Sequence, residues 1–363
     1  MLKGAERGVL ALADISGYTG FLAESELEHA QDVLRDLIQT VVGAERPLLR
    51  LSKLEGDAAF SYALTEKPDG SALLDTLEAA YFAFRRRLES IRRATTCDCN
   101  ACVLIPDLNL KFTAHYGIFV RERLFGVEEL TGTDVIVAHR LLKNRVAEAT
   151  GRRGYLLLTD ALLQAAGLNP TPLGFAEHRE AYESIGEVAA WVHDLEPRWQ
   201  REQELRRVRV SAKDQVDAIE ADLPASPAEV WNYVTDPARR ADYVPGVDRV
   251  DETPVDGRRG IGTTNHCVHG AGVSLEEVLD WRPYDYFTLK NTMPGMGTWV
   301  TTEELEPMEG GTHVTIRFGR PRAAKERAWL SQALPMMKPM YEASLARLSE
   351  LLSRTEKEPL TAS

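Results

Sequence analysis

Cysteine is scarce: four residues in a chain of 363, too few for a disulfide framework. Three of the four crowd into the stretch CDCNAC at 97–102, and a reducing cytoplasm is the expected compartment. An excess of positive charge is missing too. The formal net charge is −12, which argues against nonspecific binding to nucleic acid or to an anionic membrane. No apolar run reaches the roughly 18 residues of a membrane span, so no transmembrane helix is expected. The opening MLKGAERGVLALADIS has too short an apolar run for a signal peptide and no small-residue cleavage site. No internal repeat is visible. What is there is ordinary for a soluble globular protein: 44% hydrophobic and 27% charged residues. The length suits two domains or one large one.

Residues 1–196 mix strands and helices. GVLALAD reads as a buried strand. Leu27, Ala30, Val33, Leu34, Leu37, Ile38 and Val41 make one apolar helical stripe. LSKLEGDAAFSYAL predicts a hairpin turning at Gly56-Asp57. A long amphipathic helix, SALLDTLEAAYFAFRRRLESIRRA, comes next, then the alternating strand LKFTAHYGIFV. Residues 197–212 are charge-dense with almost no core face, which predicts a linker or a solvated helix. From 213 to 355 the texture changes. A helix with Ser226 as N-cap and Pro227 at its first position precedes closely spaced strands and a long last helix. That order suggests a curved sheet wrapped around the helix. Residues 356–363 are expected to be a disordered tail.

The chemistry starts at Asp14, where the apolar strand ends on a carboxylate and turns through Ser16 and Gly17. One reading is a strand-to-helix corner with Asp14 or Ser16 as cap. The other is a site where a carboxylate holds a divalent cation and helix N–H groups receive phosphate. A second carboxylate, Asp57 in KLEGDAAF, projects from the predicted hairpin tip. Two such aspartates suit magnesium or manganese, with a triphosphate supplying the remaining oxygens. Read alone, GD in a hairpin is also simply a turn.

ADISGYT followed by KLEGDAAF resembles the class III nucleotidyl cyclase homology domain. In that family a strand ends in (F/A)-D-I-x-G-(F/Y)-T and a hairpin carries K-x-x-G-D. The resemblance covers roughly 5–195. In detail it resembles a divergent cyclase-like subfamily of unknown function, with a cysteine-rich insert and a GTDVIVAHRLLKN segment. It implies a ferredoxin-like α+β domain. Asp14 and Asp57 would bind Mg2+ or Mn2+, Ile15 would lend a carbonyl, and Gly17 and Thr19 would cradle phosphates. Lys53 would read the base, with Glu129 near its partner's position, where the family has Asp or Thr. Arg140 would steady phosphate charge during ring closure. The family's N-x-x-x-R is broken, because Ile136 stands four residues before Arg140. No second phosphate-binding lysine stands out, and Arg152 and Arg153 are candidates or surface charge. Such catalysis is mostly positioning and electrostatics, so each absent group matters.

Cys97, Cys99 and Cys102 are three soft ligands within six residues. With His115 as a fourth they would hold Zn2+. The alternatives are reduced thiols in a loop, with a packed strand histidine at 115. In the second half, His266, Cys267 and His269 do not make a site. Trp231, Trp281, Trp299 and Trp329 are core candidates. Met336, Met337 and Met340 are plain core or one wall of an apolar cavity.

LPASPAEVWNYVTDPARRADYVPGVDRV, GIGTT, GGTHVTIRF and the last helix resemble the START-like superfamily, which includes polyketide cyclases and lipid-transfer proteins. This covers about 213–353 and implies a helix-grip fold with an apolar cavity, without a fixed catalytic set. The whole reads as an α+β protein of two domains. The expectation is a nucleotide-binding regulatory protein, with ATP favoured, whose second domain senses an apolar small molecule or lipid. Cyclase activity would be weak or absent. An active adenylate cyclase and a hydrophobic-ligand carrier on a scaffold domain are the alternatives. A cytoplasmic homodimer in signalling is expected, with no nucleic-acid partner and no membrane span.

Overall fold

Residues Val9 to Ala13 are all at most 3% exposed, so the first strand is covered on both faces and must lie in the middle of a layered unit. In the computed structural model, residues 4–24, 27–94, 104–124, 127–183, 185–205, 207–255, 257–270, 272–295 and 297–355 are described. The chain divides into two units, Met1–Leu205 and Arg206–Ser363.

The first unit runs β1 (Ala5–Ser16), α1 (Tyr18–Glu24), α2 (Leu27–Glu45), β2 (Arg50–Glu55), β3 (Ala58–Leu64), α3 (Gly70–Ala94), β4 (Asn109–Leu124), β5 (Val127–Thr131), α4 (Thr133–Leu141), α5 (Val146–Thr150), β6 (Tyr155–Thr159), α6 (Asp160–Ala165), β7 (Ala176–Tyr182), β8 (Gly186–Asp194) and α7 (Glu196–Glu204). The sheet order is β2-β3-β1-β4-β6-β8-β7, with β5 paired to β4. Strand alternation gives β1 two different faces. Val9, Ala11, Ala13 and Ile15 join the core formed with α2 and α3. Leu10 and Leu12 pack with Phe60, Tyr62, Val135 and Ala138, beneath α4.

Residues 197–212, expected as a linker or solvated helix, are neither free chain nor solvated throughout. α7 docks on α3: Trp199 is 4% exposed, and Arg198 makes two 3.0 Å bonds to the Glu78 carboxylate. Residues 207–210 belong to the second unit. There Val208 N–H donates to Asp280 Oδ2 at 2.7 Å and Val210 N–H to Thr302 Oγ1 at 2.9 Å. The charges that made this stretch look solvated are largely matched by charges on the elements it meets.

The second unit runs β9 (Gln215–Leu223), α8 (Pro227–Val234), α9 (Arg240–Tyr243), β10 (Arg249–Thr253), β11 (Thr264–His269), β12 (Gly272–Arg282), β13 (Tyr286–Met293), β14 (Gly297–Met308), β15 (Gly311–Gly319) and α10 (Ala324–Thr355). Its antiparallel sheet has the order β10-β11-β12-β13-β14-β15-β9. Ser226 caps α8 in a capping box with Glu229, and Pro227 sits at the first turn. Leu330, Leu334, Leu345, Leu348 and Leu352 of α10 pack with Ile219, Leu289, Trp299 and Phe318 of the sheet. This is a helix gripped by a curved sheet. Met337 packs on that core. Met336 and Met340 do not: they are 76% and 49% exposed, because their helical phase turns them away from the sheet.

Candidate functional site

The site of the first unit is built by register. Lys111 of β4 faces Asp14 of β1, Asp14 faces Ala58 of β3, and Ala58 faces Glu55 of β2. Directly opposed residues point to the same side of a sheet. Asp14 shares the alternation of Leu10 and Leu12, so this row lies on the α4 face. Two positions along, Leu12 faces Phe60 and Phe60 faces Lys53, which puts Lys53 on that face as well. The β4–β5 hairpin brings Glu129 to it, with Lys53 Nζ 3.1 Å from Glu129 Oε2.

Asp57 follows the Gly56 turn, and its carbonyl accepts from Ile15 N–H at 3.3 Å. Burial, and then the negative charge of Asp14, raise the Asp57 carboxyl above the ordinary carboxylate range, while Lys111 pulls it down. Lys111 Nζ lies 2.9 Å from Asp14 Oδ2 and 3.5 Å from the Leu142 carbonyl. The two aspartates therefore form a repelling pair held in place by one lysine. Their oxygen donors suit a hard cation that takes one or two carboxylates and completes its shell with phosphate. Among the described residues no cluster of three or more His, Cys, Asp or Glu could hold a metal, so no all-protein cage exists there.

The turn after β1 is tight. Gly17 has φ +89°, and a Cβ there would stand 3.0 Å from the Asp107 carbonyl oxygen and 3.1 Å from Arg153 Nη2. Ser16 Oγ donates to the Arg153 carbonyl at 3.2 Å. Arg153 thus sits against the turn expected to meet phosphate, and Thr19 is exposed on the seven-residue α1 that follows. Arg152 is drawn off to Asp194, at 3.3 Å.

α4 carries Arg140 on its exposed side, one turn beyond Ile136, which is 54% exposed. His139, beside Arg140, turns to the strand row. Its Nδ1 lies 3.2 Å from Glu55 Oε2, and burial first of all lowers its pKa. The N-terminus of α4 is fixed through Asp134, whose carboxylate accepts Ile118 N–H at 2.6 Å and lies 3.2 Å from His115 Nε2. His115 Nδ1 meets Thr159 Oγ1 at 2.9 Å. Both ring nitrogens of His115 are therefore used within the fold. Cys97, Cys99 and Cys102, the other proposed zinc ligands, lie outside the described residues.

The structure brings Asp14, Asp57, Ile15 and Gly17 to one strand end, and Lys53, Glu129 and His139 to the same sheet face. Sequence reasoning missed Lys111. It had no signal there, since the lysine matters only through the β1–β4 register. It also missed polar groups inside the second unit, where Arg240 and Glu276 are paired through two 3.2 Å bonds near Glu303.

The fold is α+β: a first unit with helices packed on a mixed sheet, then a unit in which a long helix is gripped by an antiparallel sheet. Residues 209–353 match the family model described as polyketide cyclase / dehydrase and lipid transport. Residues 34–150 match a family described as a protein of unknown function, DUF2652. A Mycobacterium tuberculosis protein, Rv2561/Rv2562, is 33% identical over 165 residues, spanning 45% of this chain and 73% of that protein. The chain belongs to the family of that mycobacterial protein. Among solved structures, a bacterial light-regulated adenylyl cyclase is 12% identical with TM-score 0.39. The alignment covers 55% of this chain and spans only 57% of that one. The guanylyl cyclase Cya2 is 11% identical with TM-score 0.40, over 52% of this chain and 91% of that one. No described helix is long and apolar enough to cross a membrane.

Proposed function

We propose that the first unit binds a nucleoside triphosphate, ATP in preference, with Mg2+ or Mn2+, as a regulatory module of weak or absent cyclase activity. The observation that carries this is the convergence of Asp14 and Asp57 at one strand end, on the sheet face that also bears the Lys53–Glu129 pair. A divalent cation would neutralise phosphate charge at the two carboxylates. Asp14 and Asp57 hold and orient, Ile15 lends its carbonyl, and the Gly17–Thr19 turn receives phosphate beside Arg153. Lys53 and Glu129 present a donor and an acceptor to the base edge. Arg140 offers its guanidinium to phosphate charge.

Two features argue for binding over turnover. Ile136, at the position that the resemblance gives to an orienting asparagine, has no polar atom to offer a ribose. Lys111 already neutralises Asp14 and competes with a metal there. A homodimer in the cytoplasm is part of the reading, because cyclase-type sites form between two such units. The second unit is proposed to take a small apolar molecule or lipid and to bias nucleotide binding in the first.

The test is titration of Mn-ATP and Mn-GTP by calorimetry, with mass spectrometry of the products. Wild type should bind ATP, and the Asp14→Ala/Asp57→Ala variant should not. Equal affinity in both proteins would overturn the proposal. Cyclic AMP formed by wild type and lost in the variant would instead make this an active adenylate cyclase.

A further inference from the structure

Lys53 reaches the α4 face of the first sheet because of one extra residue. Leu51 of β2 faces Ser61 of β3, and Ser61 faces Ala11 of β1. Ala11 and Leu51 belong to the core beneath α2 and α3. In an unbroken ladder Lys53 would fall on the same side as Leu51, opposite Ala59 of that core. Instead Lys53 faces Phe60, whose ring centroid lies 4.6 Å from that of His139 on α4. The register shifts between Leu51 and Lys53, so Ser52 is a β-bulge. Such a bulge re-aims the side chain that follows it.

A buried acid stands against this bulge. Glu45 closes α2, and its carbonyl accepts Leu48 N–H at 3.0 Å and Leu49 N–H at 2.8 Å, where the chain turns into β2. Its carboxyl, on a residue only 1% exposed, accepts Ser61 Oγ–H at Oε2, 2.9 Å away. One residue thus ties both the entry to β2 and the strand that faces it. Glu45 Oε1 and Ser52 Oγ are buried and have no hydrogen-bond partner among the described residues. Glutamine would offer Ser61 the same acceptor without an ionisable group, so packing alone does not explain the acid. The charges of the surrounding elements are engaged or turned elsewhere. Asp36 of α2 pairs with Arg87 of α3, and Glu78 of α3 with Arg198. Arg46 and Arg50 are exposed, and Asp75 is the other buried acid of α3. Lys53 and Glu55 of β2 point to the opposite face of the sheet. Burial, opposed only by the Ser61 bond, raises the Glu45 carboxyl to about 7.

We propose that Glu45 is a positioning residue for nucleotide binding: through Ser61 it holds the bulge that turns Lys53 toward the base, and it does so while protonated. This deepens the nucleotide reading of the first unit and rests on it. The neutral acid keeps its bond to Ser61 inside the core. The ionised form is a buried charge without a cation, and it is stabilised by moving out to water. Ser61 is then released, and the bulge loses the group that pins it. Nucleotide affinity therefore falls as pH rises through about 7. Asp14 and Asp57 lie outside this linkage.

Mn-ATP titrations of the full-length protein at pH 6, 7 and 8 test this, each read against Glu45→Gln so that the titrations of ATP and of His139 cancel. Wild type should match the glutamine variant at pH 6 and bind about fivefold more weakly by pH 8, a typical coupling between two sites. Mn2+ alone should bind both proteins equally at each pH. Ser61→Ala cuts the link and leaves Glu45 in place. It should bind Mn-ATP about fivefold more weakly than wild type at pH 6 and equally at pH 8, and it covers the case in which the glutamine variant fails to fold. A ratio of wild type to variant that is constant with pH, or that Mn2+ alone reproduces, would overturn the positioning role and leave nucleotide binding standing. No binding of Mn-ATP by wild type at any pH would overturn both.

Discussion

Lys111 and Asp14 face each other across the β1–β4 ladder, Nζ to Oδ2 at 2.9 Å. Both side chains are mostly buried, 19% and 16% exposed, so the ion pair is only partly screened by solvent. A cation held by the chain itself therefore stands where the proposed divalent metal would bind. Lys111→Met should strengthen Mn2+ binding several-fold. In EDTA it should cost about 2 kcal/mol, because two neighbouring carboxylates are then left uncompensated. Added Mn2+ should restore the lost stability. Calorimetry of Mn2+ binding and melts with and without metal check this. A variant equally destabilised in both conditions, with no gain in Mn2+ affinity, would show that the two aspartates are not a metal site.

Lys53 tests a different part of the same face. It is tied to Glu129 at 3.1 Å and to Glu55 at 3.4 Å, and its pKa is raised above the ordinary lysine value chiefly by the bond to Glu129. Lys53→Met should weaken nucleotide binding about tenfold, the worth of one charge-assisted bond of about 1.4 kcal/mol. Mn2+ affinity should stay the same, since Asp14 and Asp57 are untouched. Parallel titrations with Mn2+ alone and with Mn-ATP separate the two effects. Equal weakening of both would mean that the lysine supports the fold rather than the base.

Glu45 gives the first unit a pH signature. Its carboxyl is 1% exposed, accepts Ser61 Oγ–H at 2.9 Å, and is raised by burial from 4.5 to about 7. Between those values the native state binds more protons than the unfolded chain, so stability falls as pH rises. The contribution is complete below about pH 4.5 and lost by passage through about pH 7. Its size is about 3 kcal/mol. Urea melts from pH 4.5 to 8 should show the decline, and Glu45→Gln should flatten the part that belongs to the first unit. A wild-type profile that rises with pH through this window would refute the assignment.

Much of this architecture was legible in the sequence, for reasons that differ by element. The β1 strand, the hairpin at Gly56-Asp57 and the capped helix at Ser226 each follow from local rules of periodicity, turn chemistry and capping. Asp14, Asp57 and Lys53 could be singled out in the sequence because their motifs are contiguous. Lys111 was not, because its role exists only through a strand register set by tertiary packing. Arg240, Glu276 and Glu303 were missed for a related reason. They come from α9, β12 and β14, and alternation in each strand shows an inward carboxylate only once the inward face is known. The charged stretch 197–212 misled because its charges are matched by partners far away in sequence, such as Glu78 and Asp280.

Gly117 is the point at which the helix carrying Arg140 is anchored. A Cβ at this position would stand 2.3 Å from Asp134 Cγ and 2.4 Å from Asp134 Oδ2. Asp134 cannot move freely, since it accepts Ile118 N–H at 2.6 Å and meets His115 at 3.2 Å. Gly117→Ala should therefore push the start of α4 away from β4 and cost about 2–3 kcal/mol, the range of overpacking in a filled site. Because α4 bears Arg140 and His139, nucleotide affinity should fall with it. Asp134→Asn is the matched control: it keeps an acceptor for Ile118 and fits beside glycine, so it should cost less than the alanine. Thermal melts and Mn-ATP titration of both variants decide the point. A Gly117→Ala protein that melts and binds like wild type would show that α4 is not held by this contact.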